Sequence, residues 1–141
     1  VADLDDRQYE QLLEFRTQLR RFLRWSEDEA RAVGLSPAQH QLLLAIRGST
    51  DPAGPTIRDV AEALLLRHHS AVELVDRAAA EGLVERRADP DDHRLVRLVL
   101  TRAGSDKLRR LSRLHVEELR RLSSALRSLG DGARERKQRR S

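Results

Sequence analysis

Asp92 and Arg94 stand two residues apart at the end of a Pro- and Asp-rich turn. A guanidinium on a protruding tip is suited to phosphate, or to a narrow and negative groove. The carboxylate two residues before it can hold it, or a neighbouring amide, in place. As an ordinary surface pair the two would contribute little. Arg86 and Arg87 precede the turn and alternate across an extended run, so only one of them is expected to face the same anion. Upstream, His69, Ser70, Glu73 and Arg77 gather on one side of a 100° wheel. His69 and Ser70 fall in a helix's first turn, where the positive N-terminus favours phosphate and the side chains can reach base edges. Arg77, one turn on, is placed for phosphate.

Bond-breaking chemistry has no comparable set of residues. The chain has no Ser elbow, no glycine-rich phosphate loop and no Cys, so no enzyme activity and no cofactor is expected. His68 and His69 point about 100° apart on a helix and have no His or Cys at i+4, so no metal is expected there. His115 and Glu118, three apart, read as a solvated or packed helix face rather than a ligand set.

The elements that would carry these residues can be read from periodicity. Leu83–Arg87 and Arg94–Leu100 are two short runs joined by a tip, Ala88–His93. Val96, Leu98 and Leu100 fall on one face and Arg97 on the other, the pattern of a half-buried hairpin. Asp89-Pro90-Asp91-Asp92 supplies turn chemistry. Before the hairpin, Thr56 is placed to cap a short helix, Ile57–Leu64, and Leu65–His68 is a break. A second helix then runs to about Glu81, with Ala71, Leu74, Val75 and Ala78 on its apolar side, and Gly82 closes it. A short helix, a tight turn and a second helix with a polar outer face is helix-turn-helix geometry. Ser36 and Pro37 open an earlier helix carrying Leu42, Leu43, Ala45 and Ile46, between a stop at Gly34 and a loop over Gly48–Pro55.

Both ends of the chain are helical. Within Leu4–Val33, Leu12, Phe15, Leu19 and Phe22 recur at 3-4-3 spacing. Within Thr101–Leu129, Leu119, Leu122, Leu126 and Leu129 do the same. Two narrow seams exceed what a small wing module can cover, so a homodimer is expected. Gly130-Asp131-Gly132 is expected to end the last helix, leaving 130–141 as a basic, disordered tail. The domain organisation is therefore 1–33 and 101–129 for dimerisation, with 34–100 as the winged helix-turn-helix. Arg16, Arg20, Trp25 and His40 could line a pocket for a small aromatic or anionic ligand. Packing is the alternative role for Trp25 and His40.

Composition sets the outer limits. The chain has 141 residues, 39% hydrophobic and 35% charged, with a formal net charge of +4 supplied almost wholly by Arg. One mainly α-helical domain with extensions fits this length. A basic balance is compatible with phosphate binding without establishing it. The absence of Cys removes disulfides and thiolate metal sites. No run approaches membrane-spanning length, and the acidic start lacks the apolar core of a signal peptide, so a cytoplasmic location is expected.

The segment VAEALLLRHHSAVELVDRAAAEGLVERRADPDDHRLVRLVLTRAG resembles the winged-helix core of the MarR family of bacterial transcription regulators. The resemblance rests on Leu74-Val75-Asp76-Arg77, on Gly82-Leu83-Val84, on Asp89-Pro90-x-Asp92-x-Arg94 and on Leu100-Thr101-x-x-Gly104. Gly34-Leu35-Ser36 extends it, so that it covers about Leu4 to Leu129. It implies a homodimer on a pseudo-palindromic operator of double-stranded DNA, commonly a repressor released by a small molecule. Three features depart from the family. Its usual final helix is replaced by the Gly-Asp-Gly break, its frequent turn Gly is Leu65, and its often basic outward position is Glu73. Glu73 is expected to hold Arg77 as an i,i+4 pair, the alternative being acceptance from a cytosine amino group. Two other functions fit the elements: a helical protein-protein interaction module that keeps the wing without reading DNA, and an architectural DNA binder without sequence choice.

Overall fold

The computed structural model describes residues 3–140, the side chains at 133 and 136 aside. Its elements are α1 (Asp6–Ala32), α2 (Pro37–Arg47), α3 (Ile57–Leu64), α4 (His68–Ala80), β1 (Val84–Ala88), β2 (Val96–Leu100) and α5 (Arg102–Arg139). This is the mainly helical winged helix-turn-helix that the pattern predicts. The chain divides into two compact units, 29–112 and 1–28 with 113–141, so the division falls inside α1 and α5 rather than at their ends.

Local chemistry sets the element ends of the 29–112 unit. Ser36 accepts from the Gln39 amide, and the Gln39 side chain accepts from the Ser36 amide. Thr56 and Asp59 make the same reciprocal box at α3, so each N-terminus has two orphan amides satisfied. Thr101 Oγ1 accepts from Gly104 N at the start of α5 and donates to the Gly82 carbonyl. The core joins Leu35 with Leu42, Leu43 and Ile46 of α2, Val60 of α3, Val75 and Ala78 of α4, Leu83 and Val84, Leu98 of β2, and Leu108 and Leu111 of α5. Apolar burial at roughly 25 cal/mol per Å² makes this cluster what holds the wing to the helices.

The hairpin is antiparallel, with Val84 opposite Leu100 and Arg87 opposite Arg97. The first strand keeps its expected length but starts one residue later, the second begins at Val96 rather than Arg94, and the tip spans 89–95. Asp89 and Asp92 cause this, because their carboxylates take the amides of residues 91, 92 and 94 that a longer ladder would use. Val96 accordingly stays 40% exposed at the strand's open end.

Two expected boundaries are corrected. His68 belongs to α4 rather than to the break before it. The last helix does not stop at Gly130: α5 runs through Gly130-Asp131-Gly132 to Arg139, so the expected tail is helical as far as 139, while residue 141 lies outside the described residues. Glycine costs a helix interior only about 1 kcal/mol each, far less than proline. The neighbouring Leu, Ala, Arg and Glu favour continuing.

In the other unit, Phe22 and Trp25 of α1 meet His115 of α5. The Trp25 and His115 ring centroids are 4.7 Å apart, and Phe22 lies edge-on to His115 at 6.1 Å. Buried Ser26 shares a 2.6 Å hydrogen bond between its Oγ and His115 Nε2.

Candidate nucleic-acid interface

α4 is buried on one side and polar on the other, as its spacing predicts. Ala71, Val75 and Ala78 are buried and Leu74 partly so, while His69, Glu73 and Arg77 are exposed and Ser70 is half-buried. No ion pair joins Glu73 to Arg77 among the described residues, so the expected i,i+4 pair is not formed. The carboxylate on this helix that finds a cation is Asp76, which binds the Arg86 guanidinium and ties α4 to β1. Arg86 is thereby committed to a protein carboxylate. Arg87, on the other strand face, stays exposed and pairs with Glu85 at 3.4 Å.

At the tip, Arg94 and Asp92 meet as their spacing suggests. Arg94 Nε donates to Asp92 Oδ1 at 3.1 Å, Nη2 to Oδ2 at 3.3 Å, and the Arg94 amide to Oδ1 at 3.0 Å. The Arg94 guanidinium, followed by its amide, holds the Asp92 carboxyl below the ordinary carboxylate range. Arg94 remains almost fully exposed, so it is aimed from the backbone outward and still free to bind an anion.

What aims the whole tip was not singled out by the sequence. Asp89 is buried and Arg97 has a side chain only 15% exposed. Arg97 Nε donates to Asp89 Oδ2 at 2.7 Å, and its Nη1 donates to Asp51 Oδ2 and to the Gly54 carbonyl, each at 3.2 Å. Asp89 also accepts the amides of Asp91 and Asp92 at 2.9 and 2.8 Å. The Arg97 hydrogen bond first, and the two amides after it, press the Asp89 carboxyl below its ordinary value. Asp89 in turn raises Arg97. One arginine therefore joins the tip, β2 and the 48–55 loop. The loop comes close enough for the Leu98 amide to donate to the Pro55 carbonyl at 2.9 Å. Gly54, at φ +89°, allows this, because a Cβ there would lie 2.2 Å from the Leu98 carbonyl oxygen. The sequence signal was a lone Arg inside a Val/Leu strand.

The other expected residues fall as follows. Trp25 belongs to the 1–28 and 113–141 unit and His40 to the 29–112 unit, where it is buried. Arg16 and Arg20 are exposed on α1. The aromatic cluster around Trp25 includes His115, which spacing alone left as a helix-face residue. Of the seam residues, Leu12 and Leu119 are more than half exposed and Phe15 is exposed, while Leu19, Phe22, Leu122 and Leu126 are half-buried. A groove of ≈ 540 Å³ is lined by Leu4, Leu12, Phe15, Leu126 and Leu129. Among the described residues no cluster of His, Cys, Asp or Glu could hold a metal, and no helix is long and apolar enough to cross a membrane.

Comparison with known proteins matches this geometry. Residues 33–95 fit the model of the MarR family. A crystal structure of a MarR family transcription regulator aligns over 94% of this chain and 86% of its own, at TM-score 0.73 and 22% identity. MarR of E. coli, in its apo form, aligns over 89% and 91%, at 0.65 and 21%. A variant of S. aureus MepR, bound to an oligodeoxyribonucleotide, aligns over 89% and 91%, at 0.65 and 17%. No curated protein matches the sequence. Segment 33–95 thus fits the MarR family model, and over nearly its whole length the chain has the winged helix-turn-helix fold of solved MarR family regulators.

Proposed function

We propose that the protein is a sequence-specific regulator that binds double-stranded DNA as a homodimer on a pseudo-palindromic operator, acting in the cytoplasm as a repressor without enzymatic activity. The observation that carries this reading is the pairing, on one compact unit, of a polar α4 face with an arginine aimed outward by Asp92. His69, Ser70, Glu73 and Arg77 would meet base edges and phosphates in the major groove. Arg94 would enter the adjacent minor groove, with Arg87 on a flanking phosphate. The half-exposed seams of α1 and α5, with the apolar groove beside them, would be covered by a second copy, setting the two α4 helices roughly 34 Å apart. The fold shared with a protein held on an oligodeoxyribonucleotide supports the same reading.

A small aromatic or anionic molecule is proposed to release the DNA by favouring another dimer spacing. Trp25, with Phe22 and His115, offers it an aromatic wall, and Arg16 and Arg20 offer cations on the same helix.

The test is retention of genomic fragments by the purified protein, followed by competition of a labelled retained fragment against bulk DNA at fixed salt. A recurrent palindromic sequence that resists competition is expected. Retention without sequence preference would indicate an architectural binder, and no retention would indicate a protein-protein module.

A further inference from the structure

Leu65 is in a conformation that leucine rarely adopts, and the fold gains nothing visible from its side chain. It ends α3 at φ 56°, ψ 40°, and is the one non-glycine residue with positive φ among the described residues. For an L-residue with a Cβ this left-handed region is unfavourable, and glycine or asparagine fills such helix ends at lower cost. The backbone does need the turn: the Leu66 amide donates to the Ala61 carbonyl at 2.9 Å. The isobutyl group has no such reason. It is 93% exposed, more than any other large apolar side chain among the described residues. Three residues later α4 begins, with His68 and His69 also exposed.

A strained backbone carrying an unburied apolar group points to a ligand outside the chain. Its chemistry follows from its neighbours. The outward residues of α4 are His69, Ser70, Glu73 and Arg77, which can address hydrogen-bonding edges and phosphates but no apolar group. In the major groove the one apolar mark is the C5-methyl of thymine. We propose that Leu65 is a specificity-determining residue that packs on a thymine methyl at the edge of the sequence read by α4. This rests on the DNA-binding reading above and adds to it a residue and a base.

The experiment uses the full-length protein and a DNA fragment it retains, prepared with thymine or with uracil, which lacks only the methyl group. Wild type is expected to bind the uracil form more weakly, by about fourfold for each methyl removed from beneath Leu65. Leu65→Gly and Leu65→Asn both tolerate positive φ. Each should weaken binding to thymine DNA by a similar factor and bind the two DNAs equally. Leu65→Gly should also raise the thermal midpoint, a readout of the strain that needs no DNA. Two results would overturn the assignment: variants that bind like wild type, or variants that lose the same factor on both DNAs while wild type ignores the substitution. If wild type retains no DNA, the proposed function itself fails and the assignment fails with it, whatever the thermal midpoint does.

Discussion

Arg97 Nε lies 2.7 Å from Asp89 Oδ2, and both side chains are largely removed from solvent. The pair links β2 to the start of the wing tip, and the second arm of the guanidinium reaches Asp51 and Gly54 in the preceding loop. Arg97 also stands directly opposite Arg87 across the hairpin, a like-charged position that would be unfavourable without carboxylates beside it. The exposed arginine proposed to meet DNA thus depends on a covered arginine that meets only protein.

Arg97→Ala should therefore disorder the wing while leaving the helices folded. Amide exchange over residues 88–96 should speed up while that of α2 and α4 stays slow. Binding to the retained DNA should weaken by about tenfold, comparable with losing one positioned cationic contact. Unchanged exchange at the tip would show that Arg97 does not position it.

Arg94→Ala has the opposite signature. Its pair with Asp92 is solvated in the free protein, so thermal stability should scarcely change. A plot of log affinity against log salt should flatten by about one phosphate's worth of slope. Equal slopes for variant and wild type would remove Arg94 from the interface.

Acid should act on the wing through Asp89. Its ordinary value is 3.8, and the folded value lies below that because Arg97 and two amides bind the charged form. Between those two values the unfolded chain holds more protons, so stability rises with pH there. The contribution is complete above the unfolded value and disappears as pH falls through the folded one. The urea midpoint should thus fall below about pH 4, with Asp92, shifted in the same direction, adding to the loss. Asp89→Asn should start lower and show a shallower fall. An identical pH profile would contradict the linkage.

Leu119→Glu tests the dimer. Leu119 is 53% exposed in the single chain, so the chain alone should tolerate a charge there. Across a dimer seam the same substitution removes burial worth roughly 1.5–3 kcal/mol per leucine and adds a desolvation cost. Sedimentation should show folded monomer; a persistent dimer would move the interface elsewhere.

Glu73→Gln separates two uses of one carboxylate. With Arg77 left unpaired by it in the free protein, acceptance from a cytosine amino group is the use that this substitution tests. The variant should lose about 1–3 kcal/mol of discrimination at one position per half-site. Affinity for unrelated DNA should rise as repulsion from phosphate goes. A base-substitution scan that shifts uniformly at every position would refute base reading.

Periodicity and end-capping residues determined the elements. The caps at Ser36, Thr56 and Thr101, the apolar face of α4 and the alternation around Leu98 are all local, because a helix or strand repeats within a few residues. The Asp92–Arg94 contact was legible for the same reason, since two residues of separation in a turn leave little freedom. Tertiary structure decided the partners of Arg97, because Asp51 is 46 positions away and nothing in spacing relates them. It also gave Arg86 to Asp76, left Glu73 and Arg77 apart, and brought His115 to Trp25 and Ser26. Each of these is a choice among several charged or aromatic neighbours within reach. At Gly130 the sequence misled, because glycine is only a weak preference against helix, and the residues on either side outweighed it over the ten positions from 130 to 139. Leu65 shows the converse: its place in the turn was readable, but its left-handed backbone and its exposure appear only in the folded chain, where no local repeat announces them.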